Sequence, residues 1–377
     1  MERYDFIVVG AGIAGASAGF SLSHRARVLL IERESHPGYH STGRSAALYV
    51  QTHGPEAVRA ITRASRAFFL DPPAGFADAP LLTPRGMMFI ARADQTDALE
   101  RSFRESIRTV GAVRRVDARE ARAMVPVLRE DYIAGAILDP EAMDIDVHAV
   151  HYGYLRGLRS RNGAVVTNAE LRGLDFRSGF WTAHTAAGEF SAPVIVNAAG
   201  AWCDKVAALA GAAPVGLVPK RRTAFIFDPP AEIDTRRWPS VHDVGESFYF
   251  KPDAGRILAS PADETPMEPC DVQPDDLDVA IAVERIQAAA RIPVTHIIRR
   301  WAGLRSFVAD GLPVVGYDPK VDGFFWLAGQ GGYGIETSPA MGRLCASLAT
   351  RKGIPSDLAD SGINERMLSP ARLVAAI

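Results

Sequence analysis

Gly10, Gly12 and Gly15 follow the apolar run Phe6-Ile7-Val8-Val9, and Glu32 closes a second run, Val28-Leu29-Leu30-Ile31, 22 residues after Gly10. Residues of these types at this spacing can hold a diphosphate and a ribose. Glycines allow a tight strand-to-helix turn that brings backbone N–H groups and the positive end of a helix to the phosphates. A carboxylate at the tip of the next strand accepts from the ribose diol. Strand, glycines, helix, second strand and terminal acid occur together, so the chain is read as binding a dinucleotide. Two later stretches share this chemistry: Val194-Ile195-Val196-Asn197 running into Ala198-Ala199-Gly200, and the glycine cluster 328–335. Both let backbone approach a ligand closely. Arg44, in the small polar stretch 35–45, reads either as a ligand contact or as part of a solvated linker.

These residues need a frame of alternating strands and helices. Residues 4–35 read as one Rossmann-like unit, with Ile13, Ala14, Ala18 and Leu22 on the sheet-facing side of its helix. Helical spacing recurs over 55–70, 94–110, 147–161, 276–290 and 341–349, and a helix also starts after Ala201. Strand candidates are 87–90, 165–167, 194–197, 223–227 and 247–251. The length of 377 residues predicts two domains or one elaborated domain.

The net charge of -2, with both signs interspersed, gives no case for a nucleic-acid partner. Cys203, Cys270 and Cys345 are far apart and read as incidental thiols, and no His, Cys or acidic spacing suggests a metal. No apolar run is long enough to span a bilayer, and the chain starts without a signal-peptide pattern. The expected location is cytoplasmic, with peripheral membrane association left open.

Four longer words carry a resemblance: 38–47 (GYHSTGRSAA), 220–227 (KRRTAFIF), 301–307 (WAGLRSF) and 330–335 (QGGYGI). With the fingerprint, they resemble the FAD-dependent D-amino-acid oxidase superfamily over nearly the whole chain, most closely its D-arginine dehydrogenase branch. The resemblance implies an α/β fold: a discontinuous Rossmann-like FAD domain near 1–50, 140–220 and 300–377, and an α+β substrate domain on a mostly antiparallel sheet from 51–139 and 221–299. It implies non-covalent FAD. The cofactor contacts would be Gly10, Gly12, Ile13, Ala14 and Gly15, Glu32 and Arg33, Ser41, Thr42, Arg44, Ser45, Ala46 and Ala47, Ala199 and Gly200, Gly303, and Gly331, Gly332, Tyr333, Gly334 and Ile335.

By the same resemblance Arg222, Tyr249 and Arg305 would clamp the substrate carboxylate, with Gly303 and Gly332 offering backbone contacts near the α-amine. A guanidinium gives a carboxylate two parallel donors and a phenol adds a third bond. Arg305 in a structural ion pair, Arg222 in a solvated charge run and Tyr249 as core filler are the competing readings. The chain departs from the arginine enzyme at the side-chain pocket. Met87 stands where that enzyme has a glutamate for the substrate guanidinium, and Leu48 and His53 replace its histidine and tyrosine. A methionine cannot balance a desolvated cation. His53 reads equally as a substrate or lid contact and as a structural histidine.

The expected activity is oxidative deamination of neutral or hydrophobic D-amino acids, with hydride passing from Cα to flavin N5, giving imino acids and then 2-oxo acids and ammonia. Electrons would pass to a quinone, another carrier or oxygen. Oxidation of N-methyl or cyclic secondary amino acids or of 2-hydroxy acids on the same scaffold is the alternative. A non-enzymatic flavin-binding protein is the third reading.

Overall fold

The computed structural model describes residues 2–231 and 233–374. Its centre is a six-stranded sheet in the order Ala164–Val166, Val28–Ile31, Phe6–Val9, Val194–Asn197, Phe324–Ala328, Val314–Tyr317, parallel throughout except for the last strand. Parallel strands covered on both faces are apolar on both, which is why these runs are continuously hydrophobic. Phe6, Val8, Leu30 and Val196 face one core, made with the helices, whereas Ile7, Val9, Leu29 and Ile195 face another. That second core is closed by the four-stranded sheet Glu2–Arg3, Gly188–Ala192, Phe180–Thr185, Leu171–Arg177 and by the helix Cys203–Leu209.

The helix Ile13–Leu22 is buried around almost its whole circumference, not along one sheet-facing stripe. It packs between the sheet and the helices Val147–Arg159 and Ser338–Ala349. Small residues make this possible: a Cβ on Gly342 would lie 2.5 Å from the Ser17 carbonyl oxygen, and one on Gly19 would lie 2.5 Å from Leu30 Cδ1. Ala14 and Ser21 are the partly exposed members, and Ala14 lines a cavity.

The second large sheet has eight strands: Arg299–Phe307, Val218–Phe227, Arg256–Ser260, Tyr249–Asp253, Ser240–Asp243, Met87–Ala91, Gly135–Asp139 and Arg114–Val116. All neighbours are antiparallel except Ser240–Asp243 with Met87–Ala91. Alternation sends Met88, Phe225, Val241, Phe250 and Ala259 to a core shared with the helix Asp276–Ala289. The opposite face carries Met87, Phe89, Arg222, Ser240, His242, Tyr249 and Lys251 into a cavity. The strand Arg299–Phe307 sits at the edge of this sheet, beside Val218–Phe227, and the chain rejoins the six-stranded sheet only at Val314. The helix Glu56–Leu70, in turn, packs on Ser338–Ala349. The segment read as a strand over 247–251 begins at Tyr249, because Asp243 gathers the Gly245 and Ser247 N–H groups into a turn in which Glu246 takes a φ of 55°. Together these sheets form an α/β fold with a Rossmann-like region and a second, mixed α+β region.

Candidate active site

Four parallel strands end at the same rim, and each leads into one of the glycine or acid signals: Phe6–Val9 into Gly10, Val28–Ile31 into Glu32, Val194–Asn197 into Ala198-Ala199-Gly200, and Phe324–Ala328 into Gly329. A groove of about 650 Å³ opens along this rim and continues under the strand Arg299–Phe307. The fingerprint turn is sterically fixed. Gly10 has a φ of +96°, and a Cβ there would stand 2.6 Å from the Ala198 carbonyl oxygen. A Cβ on Gly15 would lie 1.8 Å from the Gly10 carbonyl oxygen.

Side chains from elsewhere hold this turn. Buried Glu32 accepts from Ala11 N–H at 2.9 Å and from Glu34 N–H at 3.0 Å while lining the groove. Thr42 Oγ1 accepts from Ile13 N–H at 3.0 Å, which caps the first helix from a distant loop. His151 Nε2 donates to the Ala11 carbonyl oxygen at 2.8 Å, and burial lowers its pKa, so the ring is neutral. Nothing in the sequence marks His151 for this task. It becomes visible only when its helix docks on the turn.

The other sequence candidates are distributed along the groove and beyond it. Gly12, Ile13, Ala14, Ser41, Ser45, Ala46, Ala199, Gly200, Gly303, Gly331, Gly332, Gly334 and Ile335 line it, whereas Gly15 acts through the turn alone. Ala47 and Tyr333 line an adjoining chamber instead. Arg33 reaches Glu34 and Glu170 at 3.3 Å each and lies 5.1 Å over the Trp202 ring, so it frames the ribose end of the groove. Arg44 is neither solvated nor free. It donates to the Ala302 and Val272 carbonyl oxygens at 3.0 and 3.2 Å and pairs with Asp271, and so ties the 38–47 loop to the eight-stranded sheet. Ser41 Oγ donates to the Leu304 carbonyl oxygen at 2.6 Å in the same seam.

FAD fits this groove. Glycines occupy the points where a Cβ would close the turn, a carboxylate stands at the tip of the next strand, and two buried polar atoms of the wall, Ser306 Oγ and Gln330 Nε2, have no partner among the described residues. Buried polar groups without partners carry a free-energy cost that a bound polar ligand relieves. None of the three cysteines lines the groove, and His40, which does, bonds Glu34 Oε1 at 3.0 Å.

A chamber of about 220 Å³ adjoins the groove, and Ser45, Ala46, Arg222, Tyr249, Arg305, Gly332 and Ile335 line both. Arg222 lies opposite Gly303 in the antiparallel pairing and Arg305 opposite Lys220, so the two arginines are diagonal neighbours on one sheet face. Arg222 donates through Nε to the Asp263 carbonyl oxygen at 2.9 Å and through Nη2 to Glu264 Oε1 at 3.0 Å, which keeps it out of the solvated charge run. Arg305 has neither a hydrogen bond nor an ion pair among the described residues. Burial and the Arg222 charge lower its pKa from the usual guanidinium value, as expected for a cation lacking its anion. Among the described residues Arg305 is therefore in no structural ion pair, and its side chain borders both the groove and the chamber. Tyr249 is stacked on His242, with ring centroids 5.1 Å apart.

Leu48, His53 and Met87 all reach the chamber, joined by Val50 and Phe89. His53 meets the Tyr333 ring at 5.1 Å. Although His53 is exposed to the chamber, enclosure there, Arg305 and Arg222 lower its pKa, and that of His242 falls to about 3 through burial and the surrounding cations. Ser240, His242, Lys251 and Glu336 belong to the same wall and were missed in the sequence. Lys251 and Tyr249 are two residues apart on one strand, but the register that adds Ser240 and His242 is set by pairing.

Glu336 is buried, and its Oε2 accepts from Val50 N–H at 2.8 Å. Burial raises its pKa to about 8, opposed by the Val50 bond and Arg305. A folded pKa above the unfolded one means that stability is lost as pH rises from the unfolded value toward the folded one. Glu336→Gln should therefore stabilise the FAD-bound protein more at pH 8 than at pH 5, by on the order of 2–4 kcal/mol. Unfolding curves of both proteins at the two pH values measure this. An equal effect at both would show that the carboxyl is ionised throughout.

The family described as FAD dependent oxidoreductase (DAO) matches residues 5–348. Glycine oxidase of Geobacillus kaustophilus (strain HTA426) is 26% identical over 377 residues, covering 95% of this chain and 96% of its own. The crystal structure of glycine oxidase from that species superposes with a TM-score of 0.84 over 99% of both chains at 24% identity. L-Proline dehydrogenase from P. horikoshii gives 0.85 at 20% identity, covering 99% of this chain and 98% of that one. L-2-Hydroxyglutarate dehydrogenase of Escherichia coli (strain K12) is 26% identical over 223 residues, 56% of this chain and 51% of its own. No helix among the described residues is long and apolar enough to cross a membrane.

Proposed function

Because the chain belongs to the DAO family of FAD-dependent oxidoreductases, we propose that it oxidises the Cα–N bond of a small amino acid or N-substituted amino acid bearing a free carboxylate. One observation carries this reading: Arg305, whose side chain has no partner among the described residues, stands beside Arg222 where the cofactor groove meets the chamber. Arg305 supplies the fork for the carboxylate, Arg222 contributes the donors left by Glu264 and Asp263, and the Tyr249 hydroxyl adds a directional bond. Held at that end, the substrate has its Cα and nitrogen in the neck beside Gly303 and Gly332, two residues that border the groove with backbone alone. Bound FAD supplies a two-electron oxidant that accepts the Cα hydrogen. The protein's part is orientation and exclusion of water, and no side-chain base is required.

Met87, Leu48, Val50 and Phe89 give the chamber an apolar strip that disfavours a cationic side chain, which sets this chain apart from a D-arginine dehydrogenase. The neutral D-amino acid is one form of the substrate. Glycine and secondary amino acids are the other, and the kinship with glycine oxidase and L-proline dehydrogenase supports them more directly. The test is anaerobic mixing of the yellow protein with glycine, sarcosine, both prolines, D-alanine, D-methionine, D-arginine and D-lactate, following loss of flavin absorbance, then reoxidation with oxygen or a quinone. Bleaching by the amino acids other than D-arginine is the expected result. Fastest bleaching by D-arginine would overturn the reading of Met87, and bleaching by D-lactate alone would move the activity to 2-hydroxy acids.

A further inference from the structure

We propose that the wall of the chamber around Lys251 is a second anion subsite, where Lys251, with Ser240 and His242 beside it, takes a carboxylate carried on the substrate's side chain or N-substituent. The preferred substrate class is then an amino dicarboxylate, with the neutral amino acids of the panel as weaker substrates of the same site. This rests on the reading of Arg305 and Arg222 as the site of the α-carboxylate.

Sheet register assembles the subsite. Lys251 follows Tyr249 by two residues and shares its face. Ser240 and His242 lie on the neighbouring strand, with His242 opposite Tyr249, and Met87 and Phe89 lie opposite Ser240 and His242 on the strand after that. All of them line the chamber. Lys251 is buried, and its Nζ donates to Asp144 Oδ1 at 2.6 Å, while Arg85 Nε donates to the other oxygen of the same carboxylate at 2.6 Å. One carboxylate thus serves two cations, buried Lys251 and half-buried Arg85, and the group carries a net positive charge. An ammonium has three donors, and among the described residues only Asp144 accepts from this one. Ser240 Oγ and His242 Nε2 are 2.8 Å apart, leaving His242 Nδ1 without a partner among the described residues.

The surrounding acids do not cancel this charge. Glu264 is paired with Lys220 and Arg222, and Asp243 faces Arg92 at 4.0 Å and accepts from Gln95, Gly245 and Ser247. Glu336 is buried with a raised pKa, and Glu246 is exposed at the rim. The depressed pKa values of His53 and His242 report the same crowding of cations, after burial itself. A single α-carboxylate at Arg305 and Arg222 leaves the surplus positive charge of the Lys251–Asp144–Arg85 group and the free donors of Lys251 unmatched, whereas a second carboxylate matches them. Met87 and Phe89, next to Ser240 and His242, offer apolar surface to the methylene groups between the two acids.

The test uses the oxidised FAD-bound protein and non-reacting acids, following the visible flavin spectrum. Acetate and propionate probe the α-carboxylate site, and malonate, succinate and glutarate probe both sites at increasing span. At least one dicarboxylate should bind about 10- to 100-fold more tightly than the monocarboxylates. That preference should collapse in Lys251→Met, which leaves Asp144 paired with Arg85, and shrink in His242→Phe, which keeps an aromatic ring between Tyr249 and Phe89. Flavin content and melting temperature verify that both variants are folded. Equal binding of the two classes, or a preference that survives Lys251→Met, would overturn the subsite while leaving the α-carboxylate reading intact. If neither class perturbs the flavin, or if Arg305→Met binds propionate as well as the wild type, both readings fall.

Discussion

Arg305→Met should fold and remain yellow yet lose about 100- to 1000-fold in kcat/KM on every carboxylate substrate, the loss expected when one member of a buried, hydrogen-bonded charge pair is removed. The reason lies in the contrast between the two arginines. Arg222 already donates to the Asp263 carbonyl oxygen and to Glu264, so its charge is partly answered inside the protein. Arg305 has no such partner among the described residues, and burial and the Arg222 charge lower its pKa. A substrate carboxylate therefore gains most from Arg305. Arg222→Met should lose less, and Tyr249→Phe, which removes one neutral donor, only about 3- to 10-fold. Steady-state kinetics on the best substrate of the panel gives all three numbers. An Arg305→Met enzyme within a few-fold of wild type would place the carboxylate elsewhere, whatever the other variants do. The same substitution removes a source of unfavourable charge, so the variant's thermal stability should not fall, which separates loss of binding from loss of fold.

Gly15→Ala should yield a protein that does not retain FAD. The added methyl would stand 1.8 Å from the Gly10 carbonyl oxygen, a backbone atom, so no side-chain rearrangement relieves it. The turn must open, and opening it disturbs the Ala11 bonds to Glu32 and His151 as well as the bond from Ile13 to Thr42. Gly303→Ala provides the comparison. A Cβ there meets only Arg44 Cβ at 3.6 Å and Ser41 Cα at 3.7 Å, ordinary contacts that the protein tolerates. Its methyl nonetheless points into the groove and the neck, so the protein should fold with a perturbed flavin spectrum or a raised KM. Flavin-to-protein ratios after gel filtration distinguish the two variants. Stoichiometric FAD in Gly15→Ala would contradict the steric account of the turn.

Much of the cofactor half was legible in the chain because its determinants are local. A glycine that must reach φ +96°, an acid at the tip of the next strand and an apolar strand buried on both faces are all written within a few residues of one another. The substrate half was legible only where a word was long enough to carry resemblance, as around Arg222 and Arg305. The apolar character inferred for the side-chain pocket came from Met87 and Leu48, and both do line it. That inference covered one wall. The other wall comes from Ser240, His242 and Lys251, which are more than 150 residues away from Met87 in the chain and become its neighbours through a single parallel pairing in an otherwise antiparallel sheet. Arg44 shows the same limit. Its position in a conspicuous loop suggested a ligand contact or solvent, and docking of that loop on Ala302 and Asp271 makes it a brace of the seam that also lines the groove.

The amino-acid sequence by itself determined the dinucleotide turn, the ribose carboxylate and the covered parallel strands, since backbone sterics and short-range periodicity act over a few residues. The tertiary structure alone decided that Arg305 is left without an anion, that His151 braces the fingerprint and that Lys251 faces the same chamber as Tyr249 and Met87. Each of those depends on sheet register and helix docking, which bring together charges and hydrogen-bonding atoms from distant segments and leave some of them unmatched.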